Sequence, residues 1–414
     1  MFRRYEDMPK IKLPDGHEVF ISDSTIREGA QMPGIVMKKE HKVKIYEFLH
    51  EIGIEKTETF LYNESDRQAV KEMLDLGYKK PEVTGWARAN PGDIDLVLRM
   101  DLPETGILMS VSDAHIFDKI GFRSREEAAE RYLKALDYAL AHGLRVRCHL
   151  EDITRADIEG FVLPFVKEIL ERDKNVILRI CDTLNYGIPF MAEFPYSIPK
   201  IIVTFKEMGA KNIELHIHDD FGMGTTISLA GLWYGANWCN ATFLGMGERA
   251  GVAELEKILA FLEFRVEGFH KYNLGCLSRF AEYMEREVGI RIPKNKAVVG
   301  ENVFAHESGI HTDGVLKNPF TYEPFPPELV GAKRHFIIGP TSGTSVIKHK
   351  VEQILGELLG TNLTLDKSDA RLKALQDFIK SSYEGGRSSC FSDSELETLV
   401  RHFFADLLQG DSGV

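Results

Sequence analysis

No run in this chain of 414 residues is long and apolar enough to cross a membrane. The opening MFRRYEDMPK has no apolar core of the signal-peptide kind. Cysteine is scarce: Cys148, Cys181, Cys239, Cys276 and Cys390 have neither metal-knuckle nor disulfide spacing, which predicts a reduced, cytoplasmic setting. Basic residues are outnumbered, 51 against 63 acidic, and the net charge of −12 argues against nucleic acid as a main partner. Anionic small molecules stay open, because a local cluster of Arg and His outweighs a distant sum over a few ångströms. There is no internal repeat and no low-complexity tract. No glycine-rich phosphate loop follows the first strand, which weighs against an open dinucleotide-binding sheet. The hydrophobic share of 43% and charged share of 28% are those of a globular chain. The length predicts one large domain and a smaller one.

After a polar arm at residues 1–18, strand and helix patterns alternate to residue 268. Strands are predicted at Val19–Ile26, Ile54–Leu61, Pro81–Ala87, Glu104–Val111, Arg145–Ile153, Val176–Thr183, Asn212–Asp219 and Trp238–Leu244. Helices are predicted between them, among them Lys39–Ile52, Arg125–His142 and Asp157–Arg172. Eight such units over roughly 250 residues make an α/β chain, a (β/α)8 TIM barrel. Residues 269–344 form a linker region. It opens with a helix over Tyr272–Val288, and its stretch NVFAHESGIHTDGVLKNPFTYEPFPP reads as too punctuated for a helix. A small helical end domain follows over residues 345–414. Its last helix starts from a capping box, Ser392 with Glu395.

The first strand breaks into Arg27, Glu28 and a Gly29 turn. In ELHIHDDF, His216 and His218 lie two apart and so share a strand face. Glu28 with His216 and His218 is a ligand set for a divalent metal with open positions, and Arg27 would stand beside a metal-bound anion. In RVRCHLED, Arg147, His149 and Glu151 share one face. Three polar residues there are costly on a doubly buried strand unless that face meets a polar cavity. The plainer readings are core histidines, an ion pair at a strand end, and mutual pairing of Glu151 with Arg147.

Four stretches, DSTIREG, HIHDD, GMGERAG and FAHESGIHTDG, occur in the order found in the metal-dependent acyl-CoA condensing family. That family includes homocitrate, isopropylmalate, citramalate and Re-type citrate synthases, and the chain resembles it over residues 21–322. TGILMSVSDAHIF, RCHLEDITRADIEGF and RICDTLNYGIP are most similar to Re-type citrate synthases. The stretch from Phe304 to Gly331 is as similar to homocitrate synthases. Two positions depart from the family: His218–Asp219–Asp220 stands where HND is usual, and Val252 where Asn is usual.

The resemblance implies a Claisen condensation of acetyl-CoA with a 2-oxo acid chelated to a divalent ion (Mn, Zn, Mg or Co). It implies Arg27, Glu151 and His311 as catalytic residues, with His311 the base and Glu151 its partner. Arg27, Gln31, Arg147, His149, Thr183 and Tyr322 would bind substrate, with Arg147 and His149 on a distal carboxylate. Gly245, Gly247, Glu248 and Arg249 would meet CoA. His311 would come from the second subunit of a homodimer with an exchanged C-terminal region. The favoured acid is oxaloacetate, giving citrate. The alternatives are 2-oxoglutarate giving homocitrate, an analogue such as phosphonopyruvate, the reverse cleavage by a lyase, or a metal-keeping protein without chemistry.

Overall fold

The computed structural model describes residues 2–408. Eight parallel strands close into a barrel in chain order: β1 (Phe20–Asp23), β2 (Lys56–Thr59), β3 (Glu82–Arg88), β4 (Glu104–Ser110), β5 (Arg145–Glu151), β6 (Ile177–Asp182), β7 (Asn212–Ile217) and β8 (Trp238–Ala241). β8 returns to β1 with Phe20 opposite Trp238, so no sheet edge is left open within the barrel. Eight helices follow the strands: α1 (Lys39–Ile52), α2 (Glu64–Asp75), α3 (Pro91–Arg99), α4 (Arg125–Ala141), α5 (Leu163–Arg172), α6 (Ile198–Glu207), α7 (Gly224–Trp233) and α8 (Leu255–Arg265). Several starts are written locally. Asn63, Asn90, Ser124 and Ser197 each accept a backbone N–H three residues on, satisfying donors that a helix start leaves bare.

Two compact units are present, Lys10–Ile292 and Met1–Pro9 with Pro293–Val414. The barrel unit runs past residue 268 to include α9 (Leu277–Tyr283), whose Phe280 stacks on Phe48 at 4.6 Å and Phe243 at 3.8 Å. In the second unit, Asn318 donates to the Arg3 carbonyl, so the start of the N-terminal arm packs there. Its helices are α10 (Gly309–Lys317), α11 (Thr344–Leu359), α12 (Ala370–Glu384) and α13 (Asp393–Phe403), with a last turn at Ala405–Leu408. Val346, Ile347, Leu355, Leu372, Leu375, Leu396 and Phe404 form the core of its C-terminal part. Residue 1 of the predicted arm and residues 409–414 of the predicted end domain lie outside the described residues. Among the described residues no helix is long and apolar enough to cross a membrane.

Three local expectations change. The first strand ends at Asp23 rather than Ile26: Asp23 takes the Thr25 N–H and hydroxyl, and Ser24 O takes the N–H groups of Arg27 and Glu28, which rolls the chain into a turn. The predicted helix Asp157–Arg172 opens as a π-helical turn, Ile158–Val162, before α5. The stretch read as too punctuated for a helix contains α10, held by buried Thr312 and Val315, while Gly309 lies against the Gly343 backbone where a Cβ would press at 3.1 Å.

Candidate active site

At the C-terminal ends of the barrel strands lies a cleft of about 430 Å³. Arg27, Glu28, Gln31, His149, Glu151, Thr183, His216, His218, Glu248 and Arg249 all line it, although they come from turns and strands as far apart as residues 27 and 249. Four cations (Arg27, Arg88, Lys119, Arg249) face three carboxylates (Glu28, Glu151, Glu248), a balance that suits an anionic substrate.

Arg27 is held on several sides. Its Nε donates to Glu58 at 2.6 Å, and its Nη1 lies 2.8 Å from Glu28 Oε2 and donates to Gln31 at 3.3 Å. Phe60 and Trp86 flank the guanidinium at 5.7 and 5.8 Å. Glu58 also takes Arg179 Nη1 at 3.1 Å. Burial alone would raise the Glu58 pKa, but Arg179 and Arg27 outweigh it and hold it well below the usual carboxylate range.

The two histidines have the chemistry a divalent ion needs. His216 Nδ1 meets Asn240 Oδ1 at 2.6 Å, and the Asn240 amide is oriented by its bond to Ser22 Oγ. That leaves Nε2 of His216 as the free ligand atom. Nδ1 of His218 is buried without a hydrogen-bond partner among the described residues. Burial lowers the pKa of both rings, His216 strongly, so both are neutral. The rings stand edge to face, 5.2 Å apart. Glu28 lies beside them in the cleft, its carboxylate turned to Arg27. Among the described residues no three His, Cys, Asp or Glu groups are drawn together tightly enough to form a metal cluster. The donor set fits an ion chemically, with Glu28 the ligand that would turn from Arg27.

Strand β5 sorts its inward face by depth. Side-chain exposure rises from 0% at Arg147 through 3% at His149 to 15% at Glu151. The expectation that Arg147 grips a substrate is corrected. It lies under the cleft, 3.1 Å from Glu104 and 2.5 Å from Glu214, and these carboxylates already balance its charge. His149 forms the floor above it. Gly106 on β4 leaves the slot for its imidazole, where a Cβ would clash with Nε2. Burial, reinforced by the Arg179 charge, pushes the His149 pKa down to about 4.

Glu151 stands at the top of this face. It reaches the cleft and is held there: Ser110 Oγ and His115 Nδ1, the latter at 3.0 Å, bond to Oε2, and Lys119 Nζ donates to Oε1 at 2.6 Å. Burial would raise its pKa, yet these partners hold it at about 2. His115 and Lys119 lie on a π-helical turn, Ala114–Ile120. Sequence reasoning passed over both, although they fall in and beside the quoted SDAHIF stretch. Thr183 Oγ1 accepts the Asp152 N–H at 3.0 Å, leaving its own hydrogen to donate.

The glycine loop after β8 folds tightly. Gly251, at φ 85°, lies against the Gly245 carbonyl, and the space beside Gly247 is filled by Glu28. Gly245 and Gly251 thus let the loop pack on itself. Arg249 clasps Asp220 through Nε at 2.8 Å and Nη2 at 2.9 Å, and donates to the Thr183 carbonyl, tying together the loops after β6, β7 and β8. His311 and Tyr322 belong to the second compact unit, where their rings lie 4.2 Å apart.

A family model described as HMGL-like matches residues 18–283, and one described as homocitrate synthase post-HMGL domain-like matches residues 298–380. A citrate (Re)-synthase of Clostridium kluyveri is 36% identical over 98% of this chain and 93% of its own. A homocitrate synthase of Methanothermobacter thermautotrophicus is 33% identical over 91% and 92%. A probable 2-isopropylmalate synthase of Ignicoccus hospitalis is 37% identical over 85% and 84%. The solved HMG-CoA lyase of Bacillus subtilis is 20% identical with a TM-score of 0.56, covering 69% of this chain and 97% of the lyase; this likeness concerns the barrel fold alone.

Proposed function

We propose, from the premise that this chain belongs to the HMGL-like family and is an enzyme of the kind that condenses acetyl-CoA with a 2-oxo acid, that the acid is oxaloacetate and the product citrate. The observation that carries the choice of acid is the raised floor of the cleft. Arg147 sits roughly 6–7 Å below His149 along β5, and it is already paired. A distal carboxylate therefore ends at the imidazole, which favours the shorter dicarboxylate. Two relatives named citrate (Re)-synthase match 98% and 97% of this chain, which supports the same reading. The match to a homocitrate synthase post-HMGL domain over residues 298–380 favours condensation over a lyase reaction.

In this reading Glu28, His216 and His218 hold a divalent ion, which supplies Lewis-acid polarisation of the keto group. Arg27 is fixed by Glu58 through Nε, so its Nη2 edge is available to donate to the oxygen that becomes an alkoxide. Thr183 donates its hydroxyl to the 2-oxo acid carboxylate. Arg249 shapes the mouth by clasping Asp220, with Glu248 beside it. His311, with Tyr322 against it, is the base for the acetyl methyl and comes from a second copy of the chain. Mixing His218→Ala with His311→Ala chains is then expected to restore part of the turnover that each lacks. Demonstrated subunit exchange with no recovery would overturn the crossed arrangement.

A panel of 2-oxo acids with acetyl-CoA, followed by thiol release, tests the substrate. Oxaloacetate is expected to exceed 2-oxoglutarate in kcat/KM by about 10–200-fold, the span that one methylene is worth in a fitted pocket. Pyruvate, without a distal carboxylate, is expected to be poor. His149→Ala should lower the floor and shift the ratio toward 2-oxoglutarate by about tenfold or more. A wild-type preference for 2-oxoglutarate would replace oxaloacetate with the homocitrate reading.

A further inference from the structure

Proton loss from the acetyl thioester puts charge on its carbonyl oxygen, and nothing assigned so far meets that oxygen. We propose that Lys119 does: its ammonium donates a hydrogen bond to the thioester oxygen as the enolate forms, which makes it a catalytic residue. The inference rests on the condensing reaction proposed above, not on which 2-oxo acid is used.

The geometry is specific. Lys119 stands on the π-helical turn after β4, lines the cleft, and has a side chain 45% exposed. Among the described residues its one polar partner is Glu151 Oε1, at 2.6 Å. An ammonium has three N–H donors, so two remain for the cleft. Glu151 cannot swing away to claim them, because Ser110 and His115 hold its other oxygen. A carboxylate so surrounded is a poor proton acceptor and a firm anchor. This gives Glu151 a use that fits its partners: it fixes a lysine that would otherwise sample many rotamers. A surface pair of this kind adds little to folding, and two further contacts on one carboxylate, from Ser110 and His115, are more than such a pair needs.

The step balances. The base takes the methyl proton, the C–H electron pair becomes the C=C bond, and the carbonyl pair moves to oxygen, where Lys119 donates. When the enolate carbon attacks the keto carbon the pair returns, the thioester carbonyl re-forms, and the charge passes to the former keto oxygen near Arg27. No oxidant or further reactant is required.

The test uses the full-length enzyme with whichever 2-oxo acid of the panel turns over, so a wrong choice of acid leaves it intact. Lys119→Met is expected to lower kcat by about 100–1,000-fold, the usual effect of removing one oxyanion donor. Affinity for the 2-oxo acid, by calorimetry without acetyl-CoA, should stay within twofold. The isotope effect with deuterated acetyl-CoA should rise, because enolisation becomes the slow step. Lys119→Arg keeps a donor and should recover at least tenfold over Lys119→Met. A Lys119→Met enzyme within threefold of wild-type kcat would overturn the assignment. So would a loss confined to 2-oxo acid binding, or an unchanged isotope effect, since these are the marks of a structural role.

Discussion

Replacing His218 by Ala is expected to lower turnover by about a thousandfold or more and to weaken binding of Mn or Zn to the apoprotein, with the barrel still folded. The magnitude follows from the several kcal/mol that Lewis-acid stabilisation contributes, each 1.36 kcal/mol being about tenfold in rate. The fold should survive because His218 lies just beyond the end of β7 and its Nδ1 has no partner among the described residues to lose. Calorimetric titration of the metal alone gives a readout that does not depend on the substrate. Asn240→Ala is the graded companion. Asn240 orients His216 from behind, and loss of such support is expected to reduce metal affinity by about 10–100-fold. Unchanged metal affinity and unchanged turnover in His218→Ala would remove it from the ligand set.

The barrel was legible because its strands and helices alternate in period and number. Much of the cleft was legible too, because Arg27–Glu28 and His216–His218 interrupt apolar stretches where a core would not. Depth was not legible. Alternation along β5 says that Arg147, His149 and Glu151 point inward, but not how far below the mouth each lies. Nor does it say that Glu104 and Glu214, on other strands, will meet Arg147 there. The partners of a deep charge come from across the barrel, at sequence separations that no local pattern records. Glu58 was missed for this reason: it sits in the short strand KTET, and only barrel closure brings it to Arg27, His149 and Arg179. Lys119 and His115 escaped for another. A π-helical turn has no apolar period to read, so its residues look like an unremarkable loop until Glu151 is found between them.

The same deep charges make Glu214→Ala the stability change with the largest expected effect. Glu214 is fully buried, and its Oε2 lies 2.5 Å from Arg147 Nε and 2.6 Å from Arg179 Nε, while Ser22 donates to Oε1. Removing it leaves Arg147 with Glu104 and Arg179 with Glu58, one carboxylate lost from between two guanidinium groups where water does not reach. Breaking a buried pair from one side costs about 3–5 kcal/mol, because the desolvated charge remains. For a chain of this size that is a fall in melting temperature of roughly 3–6 °C, readable by circular dichroism. Glu214→Gln keeps the shape and should fall between. The acid limb follows from the same groups. Burial would raise the pKa values of Glu58, Glu104 and Glu214, but neighbouring Arg and Lys charges hold all three below the ordinary range. A depressed carboxylate stabilises the fold above its unfolded pKa of about 4.3 and loses that contribution as pH falls toward the folded value. Wild-type stability should therefore decline below about pH 4.3, and Glu214→Ala should decline less steeply, having one such group fewer. A melting temperature within 2 °C or so of the parent would mean that Arg147 and Arg179 do not depend on Glu214, and that the ionic layer beneath the cleft is not what keeps them in place.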